Sequence, residues 1–404
     1  MISVEDALAR LLAPLEPVPF EQISIAEGVG RVLAEDLAAR RTQPPFAVSA
    51  MDGYAVRAED VAAVPAMLQI VAEIPAGAGF GGRLGPGETA RIFTGAPLPA
   101  GADTIVIQED TERDSDRVLV KEGAPRGRYV RREGLDFAEG EVLLKAGRRL
   151  TPRDIGLAAA MNRPWLMVYR RPVVGILSTG DEIVMPGDPI GPHQIVSSNS
   201  MSLAAFVTAI GGVPVLVGNA PDDPDALRRI AAAARGVDLF VTTGGVSVGE
   251  HDLVRDVLAE EGLEIDFWQI AMRPGKPLMV GRYHGAPMLG LPGNPVSTLV
   301  CALLFLKPAV DRLSGLPVGA TETMTARLGI ALKQNDRRQD YLRSRLLRAA
   351  DGILEAVPFE TQDSSMMRPL AGADCLVVRP PHAPALPIGS GVPIIPFPGG
   401  AWPL

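Results

Sequence analysis

A chain of 404 residues, 47% hydrophobic and 21% charged, has the composition of a soluble globular protein and is too long for one core, which predicts about two to four domains. Its net charge of −8 excludes nucleic-acid binding through a broad basic surface. Cys301 and Cys375, the only cysteines, lie in apolar runs outside any CxxC, which excludes a disulfide framework and a structural zinc site. Glu5 and Asp6 sit where a signal peptide would need a basic, then apolar, start. The longest apolar run, 296–306, is about half the roughly 20 residues of a membrane span. A cytoplasmic protein with neither a membrane nor a nucleic-acid partner is expected.

In chain order, Ser3 is placed to cap a helix over 3–12, with Asp6 three residues on and Ala7, Leu8, Leu11 and Leu12 on the buried face. Regular structure stops at Pro44-Pro45-Phe46. In the following Val-Ser-Ala-Met-Asp-Gly-Tyr-Ala (48–55), Asp52-Gly53 is a turn pair. A hairpin is the plain reading; a carboxylate fixed beside a stiff diproline also suits metal or proton work. From about 56 to 136 the chain is strand-like and rich in glycine, a small β domain inserted into a longer scaffold. One strand there ends on Thr94 and Gly95. At the edge of the insert, Arg131 and Arg132 precede Asp136, where a solvated loop is the simpler explanation.

A helix is expected over 149–161, capped by Thr151 with Pro152 at its first position. Beyond it strands and helices alternate over roughly 140 residues, which predicts an open, mostly parallel α/β sheet. Strands are read at 173–177, 213–217, 238–243, 265–271, 278–280 and 288–291, and helices at 200–210, from 223, from 253, and up to 306. Asp223 is sufficiently explained as a cap.

The stretch from 238 to 252, Asp-Leu-Phe-Val-Thr-Thr-Gly-Gly-Val-Ser-Val-Gly-Glu-His-Asp, reads as buried strand, glycine turn and helix start, a place where backbone N–H groups meet an anion. Glycine turns also close ordinary βα units. Three more polar turns, however, follow strand ends: Ser178 to Glu182, Arg273 to Lys276 and Pro292 to Asn294. In open α/β sheets ligands bind outside those ends. Cations and backbone donors fit phosphates, and Asp181, Glu182, Glu250 and Asp252 fit Mg²⁺ and water, so a Mg²⁺–phosphate site is expected. Residues 328–397 read as short strands between Pro and Gly turns, a small C-terminal β-barrel in which Arg343 and Arg345 share a face.

With its motifs placed, the chain resembles the MoeA/gephyrin E-domain family of molybdopterin molybdenumtransferases. The likeness rests on SAMDGYA (49–55), FTGAPLPAGADTIV (93–106), STGDE (178–182), SSN (197–199), TGGVSVGEHD (243–252), PGKP (274–277) and LPGNPVS (291–297), in that order. The resemblance implies a region of 1–171 (scaffold 1–50 and 137–171 around an insert of about 51–136), a molybdopterin-binding α/β domain over 172–316 and a C-terminal barrel over 317–404. It also implies a homodimer with the site near its interface, contact with a molybdopterin adenylyltransferase, and the last step of molybdenum cofactor synthesis. In that step molybdate is inserted into adenylylated molybdopterin, and AMP is released with Mg²⁺.

Carried over residue by residue, the likeness assigns Asp52, Thr94, Asp136, Asp181, Glu182, Asp252 and Lys276 to the chemistry, and Asp181, Glu250 and Asp252 to the metal. It places Thr179, Gly180, Ser198, Asn199, Gly244, Gly245, Val246 and Ser247 along the nucleotide and cofactor. Arg273, Pro274, Gly275, Pro292, Gly293, Asn294 and Pro295 join them, with Asp52, Thr94 and Asp136 approaching from the other subunit. Arg343 and Ser364 are assigned to molybdate, although Ser364-Ser365-Met366-Met367 departs from the family's usual segment. The alternatives are an adenylyltransferase-like enzyme, a gephyrin-like scaffold and a Mg²⁺-dependent phosphohydrolase.

Overall fold

The computed structural model describes residues 1–244, 253–319 and 321–397. At its centre is a six-stranded sheet: β1 (Val173–Thr179), β2 (Val213–Ala220), β3 (Leu239–Thr243), β4 (Leu263–Gln269), β5 (Pro277–Tyr283) and β6 (Ala286–Leu291). The order across it is β2-β1-β3-β6-β5-β4. The β1–β2, β1–β3 and β3–β6 pairs are parallel, and β5 runs against both of its neighbours. The mostly parallel sheet is therefore as expected. The reversal at β5 follows from its turn to β6, His284-Gly285, both at positive φ: two residues cannot make the crossover a parallel pair needs.

Strand alternation divides the core between the two faces. Leu239 and Val241 point into one cluster with Val174, Ile176, Leu203 and Val207, the last two on helix Asn199–Ala209. Phe240 points into the other, with Leu177, Leu227, Val254, Val257 and Leu258, from helices Pro224–Ala231 and Leu253–Glu260. Truncating the fully buried Phe240 to alanine would cost about 3–5 kcal/mol.

Helix Val4–Leu12 starts at Ser3, whose Oγ accepts from the Asp6 N–H at 3.0 Å. Its buried Ala7 and Leu11 join the first of these clusters, so the first helix packs with the central sheet. The apolar helix expected to stop at 306 continues: Pro295–Cys301 runs through a wider π turn, Ala302–Leu306, into Lys307–Leu313. The widened turn accommodates Pro308, which has no N–H to give.

The scaffold pairs Phe20–Ser24 with Trp165–Tyr169 and carries helix Pro152–Ala160, where Thr151 and Asp154 form a reciprocal capping box. It is tied to the sheet domain by ion pairs. Asp311 accepts from Arg149 at 2.9 Å and Lys307 at 2.5 Å, and Asp238 takes both Nη groups of Arg170 at 2.6 and 2.5 Å. Asp238, read as a strand residue, thus serves as a clamp just before β3.

The insert is a curled six-stranded sheet in the order Thr104–Ile107, Gly53–Val56, Glu88–Ile92, Ala66–Ile74, Arg117–Val120, Thr111–Asp114. The C-terminal unit is a closed five-stranded barrel. Gln339–Arg348 pairs with Leu354–Pro358, the order continues through Met324–Leu328 and Gly391–Pro396 to Cys375–Arg379, and that strand returns to Gln339–Arg348. No described helix is long and apolar enough to cross a membrane.

Candidate active site

The chain leaves β1 for β2 on one side and returns to β3 on the other, so the crevice between β1 and β3 is the topological switch point, the usual ligand position in such sheets. A cavity of about 650 Å³ opens there. Ser178 and Thr179 at the end of β1, Thr243 and Gly244 after β3, and the 292–295 turn after β6 line it. Gly244 has φ +87, and a Cβ there would stand 2.6 Å from the Thr179 carbonyl oxygen. Only glycine lets the two strand ends approach this closely.

Asn199, the first residue of its helix, holds the crevice together. Its Nδ2 donates to Thr243 Oγ1 at 2.9 Å and to the Gly293 carbonyl at 2.7 Å. The Pro292 carbonyl accepts from Thr298 Oγ1 at 2.6 Å and Thr243 Oγ1 at 3.3 Å. Ser178 Oγ, Thr179 Oγ1 and Asn199 Oδ1 are buried and have no partner among the described residues. Orphaned polar atoms lining a cavity are what a hydrogen-bonding ligand completes. Ser198 lies at the same rim.

Glu182 lines the cavity. Gly180, at φ +131, makes the turn that carries Asp181 and Glu182, and Asn219 Nδ2 steadies it through the Ile183 carbonyl at 3.0 Å. Asp181 Oδ1 accepts from the Asp222 N–H at 2.9 Å, leaving Oδ2 without a partner among the described residues. Gly245, Val246, Ser247, Glu250 and Asp252 lie outside the described residues. Of the expected ligand set only Asp181 lies among the described residues, and among these no three His, Cys, Asp or Glu side chains converge as a metal site.

The C-terminal unit reaches the crevice through 364–367. Ser364 Oγ accepts from Asn294 Nδ2 at 2.9 Å and its carbonyl from the Val296 N–H at 3.0 Å, while Ser365 and Met367 line the cavity. Behind them Arg343 is 1% exposed. It donates to Gln362 Oε1 at 3.3 Å and to the Met366 carbonyl at 3.3 Å, with no carboxylate within 4 Å among the described residues. Burial pushes its guanidinium below the usual arginine range.

The Arg273–Lys276 turn faces elsewhere. Residues Met272 and Arg273 pair in parallel with Gln339 and Asp340 of the barrel. Arg273 bonds to Asp340, to Asp336 at 3.3 Å and to Asn335 at 3.4 Å. Pro274 and Gly275 follow; Gly275 has φ +110, and a Cβ on it would meet Cys301 Sγ at 2.5 Å. Lys276 lines a separate cleft of about 490 Å³ with Arg337, Arg338 and His382, and only Pro277 reaches the sheet cavity. The structure thus brings Thr179, Glu182, Ser198, Asn199, Gly244, Pro292, Gly293, Asn294 and Pro295 together, with Ser364 behind them, and sets Arg273 and Lys276 apart.

Asp52 and Thr94 form a third group on the insert, and Asp136 lies at its edge. Asp52 Oδ1 accepts from the Thr94 N–H at 2.7 Å and the Thr94 hydroxyl at 2.8 Å. These bonds, with the Arg91 charge further off, hold the Asp52 carboxyl below the usual carboxylate range. Asp136 lines a cavity of about 720 Å³ at the joint of scaffold and insert, with Arg41, Arg131 and Phe46. None of the three lines the sheet cavity. Residues absent from the expected set but present at the crevice include Ser178, Thr243, Ser365 and Met367. For the first two the signal was there: a hydroxyl at the end of a buried apolar strand.

A switch-point crevice with orphaned hydroxyls, roofed by a β-barrel and attached to a scaffold with a β insert, is the architecture of a multidomain enzyme that binds a polar cofactor or nucleotide. Three family models match in sequence: the MoeA N-terminal region (domain I and II) over residues 2–162, a probable molybdopterin binding domain over 175–312, and the MoeA C-terminal region (domain IV) over 325–397. A molybdopterin molybdenumtransferase of Nostoc sp. is 41% identical over 81% of this chain and 77% of the relative. One from Haemophilus influenzae is 32% identical over 98% of this chain and 99% of its own. A molybdopterin biosynthesis MoeA protein from Pyrococcus horikosii, 33% identical, superposes with a TM-score of 0.85 over 99% of this chain and all of that one. The chain belongs to the molybdopterin molybdenumtransferase family.

Proposed function

We propose that this protein inserts molybdate into adenylylated molybdopterin and releases AMP, completing the molybdenum cofactor. The observation that carries this reading is the switch-point crevice, a cavity of about 650 Å³ lined by Ser178, Thr179 and Asn199, each of which keeps a buried polar atom without a partner among the described residues. Adenylylated molybdopterin is rich in amide, amine and phosphate groups that pair with such atoms. In this reading Asn199, Pro292, Gly293, Asn294 and Pro295 hold the pterin side. Thr179, Gly180 and Gly244, with Gly245, Val246 and Ser247, run along the phosphates. Arg343 and Ser364 receive molybdate, and Arg273, Pro274, Gly275 and Lys276 form the basic approach from the barrel side. Mg²⁺, held by Asp181 with Glu250 and Asp252, would neutralise charge on the phosphates.

Asp52, Thr94 and Asp136 stand away from the sheet cavity of their own chain, which supports a homodimer in which a second copy brings them to it. Asp52 then orients the attacking oxygen with Oδ2, which is without a partner among the described residues. Three units, 1–171 with an insert of about 51–136, 172–316 and 317–404, act as insert-bearing arm, cofactor domain and lid. The protein works in the cytoplasm and takes its substrate from a molybdopterin adenylyltransferase.

AMP release from adenylylated molybdopterin, measured with Mg²⁺ in the presence and absence of molybdate, tests the reading. Release that depends on molybdate and leaves active cofactor supports it. Release indifferent to molybdate would make the protein a phosphohydrolase, and no release would make it an adenylyltransferase-like enzyme or a scaffold.

A further inference from the structure

One guanidinium ties down two successive carbonyls of the Asp52 turn, those of Asp52 and Gly53, the first through Gln108. Arg91 lies directly across the antiparallel pair from Tyr54, and its guanidinium carbon is 5.1 Å from the Tyr54 ring centre and 5.0 Å from that of Phe93. Two rings on one cation fix its plane. Nη1 donates to the Gly53 carbonyl at 3.2 Å, immediately after Asp52. Nη2 donates at 2.6 Å to Gln108 Oε1, and the Gln108 N–H donates in turn to the Asp52 carbonyl at 3.1 Å.

Gly53 packs against the neighbouring strand with no room for a side chain, since a Cβ on it would stand 2.0 Å from the Val106 carbonyl oxygen. Arg91 has no carboxylate within 4 Å among the described residues. Glu73, its register partner on the neighbouring strand, pairs instead with Arg113 at 3.8 Å. Glu109, next along from Gln108, accepts from Gln108 Nε2 at 3.4 Å. The guanidinium is therefore spent on Gly53, which follows Asp52, and on Gln108, which bonds the Asp52 carbonyl, rather than on an ion pair. Asp52 itself keeps Oδ2 unpartnered among the described residues while Thr94 occupies Oδ1.

We propose that Arg91 is a positioning residue for the transfer reaction: stacked between Tyr54 and Phe93, it locks the Asp52–Gly53 backbone, directly at the Gly53 carbonyl and through Gln108 at the Asp52 carbonyl, so that the Asp52 carboxylate is held in one place for incoming substrate. The proposal rests on the reading that Asp52 acts in that reaction. The positive charge also favours the ionised carboxylate, with Glu73 and Glu109 opposing it and Arg113 offsetting Glu73.

The test uses the full-length protein as wild type, Arg91→Met, Arg91→Lys and Asp52→Asn. The Asp52 carboxyl is titrated by carbon NMR after aspartate labelling, its signal identified by its loss in Asp52→Asn, and kcat and KM are followed against pH. Arg91→Met is expected to raise the Asp52 midpoint and to move the acid limb of kcat upward with it, leaving KM for adenylylated molybdopterin unchanged. Arg91→Lys keeps the charge but cannot reach both acceptors. It is expected to hold the midpoint near wild type while kcat stays reduced at every pH. An unshifted Asp52 midpoint in Arg91→Met, or full kcat in Arg91→Lys, overturns the proposal. Should Arg91→Met fail to fold by circular dichroism, the lysine variant decides alone. Wild-type turnover in Asp52→Asn would instead remove Asp52 from the reaction, a failure of the parent reading that the NMR midpoints report separately.

Discussion

Gly244 and Thr179 meet at the ends of adjacent parallel strands, with room for no side chain between them: a Cβ on Gly244 would lie 2.6 Å from the Thr179 carbonyl oxygen and 3.1 Å from its hydroxyl. Gly244 also adopts φ +87, where an L side chain costs about 1–2 kcal/mol before any clash is counted. Gly244→Ala must open the crevice or twist the turn. The expected result is a lower denaturation midpoint and loss of turnover together. A variant with wild-type stability and turnover would show that the strand ends can part freely.

Asn199 is the bridge across that same crevice, from its helix to Thr243 and to Gly293. Asn199→Asp keeps the shape but replaces the donor with an acceptor, facing the Gly293 carbonyl with a like partial charge. A buried acceptor left unpaired costs about 1–3 kcal/mol. The expected outcome is a raised KM for adenylylated molybdopterin with a smaller change in kcat, because the residue shapes the binding crevice. Steady-state kinetics at saturating molybdate check it, and an unchanged KM would take Asn199 out of substrate binding.

How much of this could be read from the chain depends on the reach of the interaction. The caps at Ser3, Thr151 and Asp223 are local, and each side chain accepts from the N–H three residues on. The central strands are equally plain, since 239–243 is buried at every position and so is apolar or hydroxyl-bearing throughout. Arg273 and Lys276 were not legible in the same way. They follow a strand of the central sheet in sequence, but the pairing of Met272 with Gln339 turns them toward the barrel. That pairing spans two domains, and no local pattern encodes it. Asn199 stood out only as part of a motif, because its two partners come from distant turns.

Arg343 is a cation fully buried against Gln362 and a backbone carbonyl, a costly arrangement unless an anion visits. Arg343→Met retains volume, and Gln362 Oε1 keeps the Arg343 backbone N–H at 3.0 Å as a donor. Stability is therefore expected to stay within about 1 kcal/mol of wild type. Half-saturation by molybdate is expected to rise sharply, and Arg343→Lys should not restore it, since a point charge lacks the planar fork. Molybdate titration of AMP release decides the matter: an unchanged half-saturation would assign Arg343 to structure alone.

The joint between sheet domain and barrel carries its own pH dependence. Asp336 accepts from Arg338 at 2.8 Å and from Arg273 at 3.3 Å, and the Arg338 contacts, foremost its side chain, pull its carboxyl down from 3.8 to about 2. A folded-state value below the unfolded one means stability that is fully present above the unfolded value and lost as pH falls through the folded one. The contribution of Asp336 should thus hold above about pH 4 and disappear between there and about pH 2. Its side chain is 43% exposed, so solvent screens the pairs and the effect is small in absolute size. Asp336→Asn is expected to lower the denaturation midpoint slightly at neutral pH and to flatten its fall in acid. If the variant and the wild type lose stability in parallel between pH 4 and pH 2, the Asp336 pairs with Arg338 inside the barrel and with Arg273 across the joint contribute nothing to stability, and the parallel pairing of Met272 and Arg273 with Gln339 and Asp340 holds the joint without them.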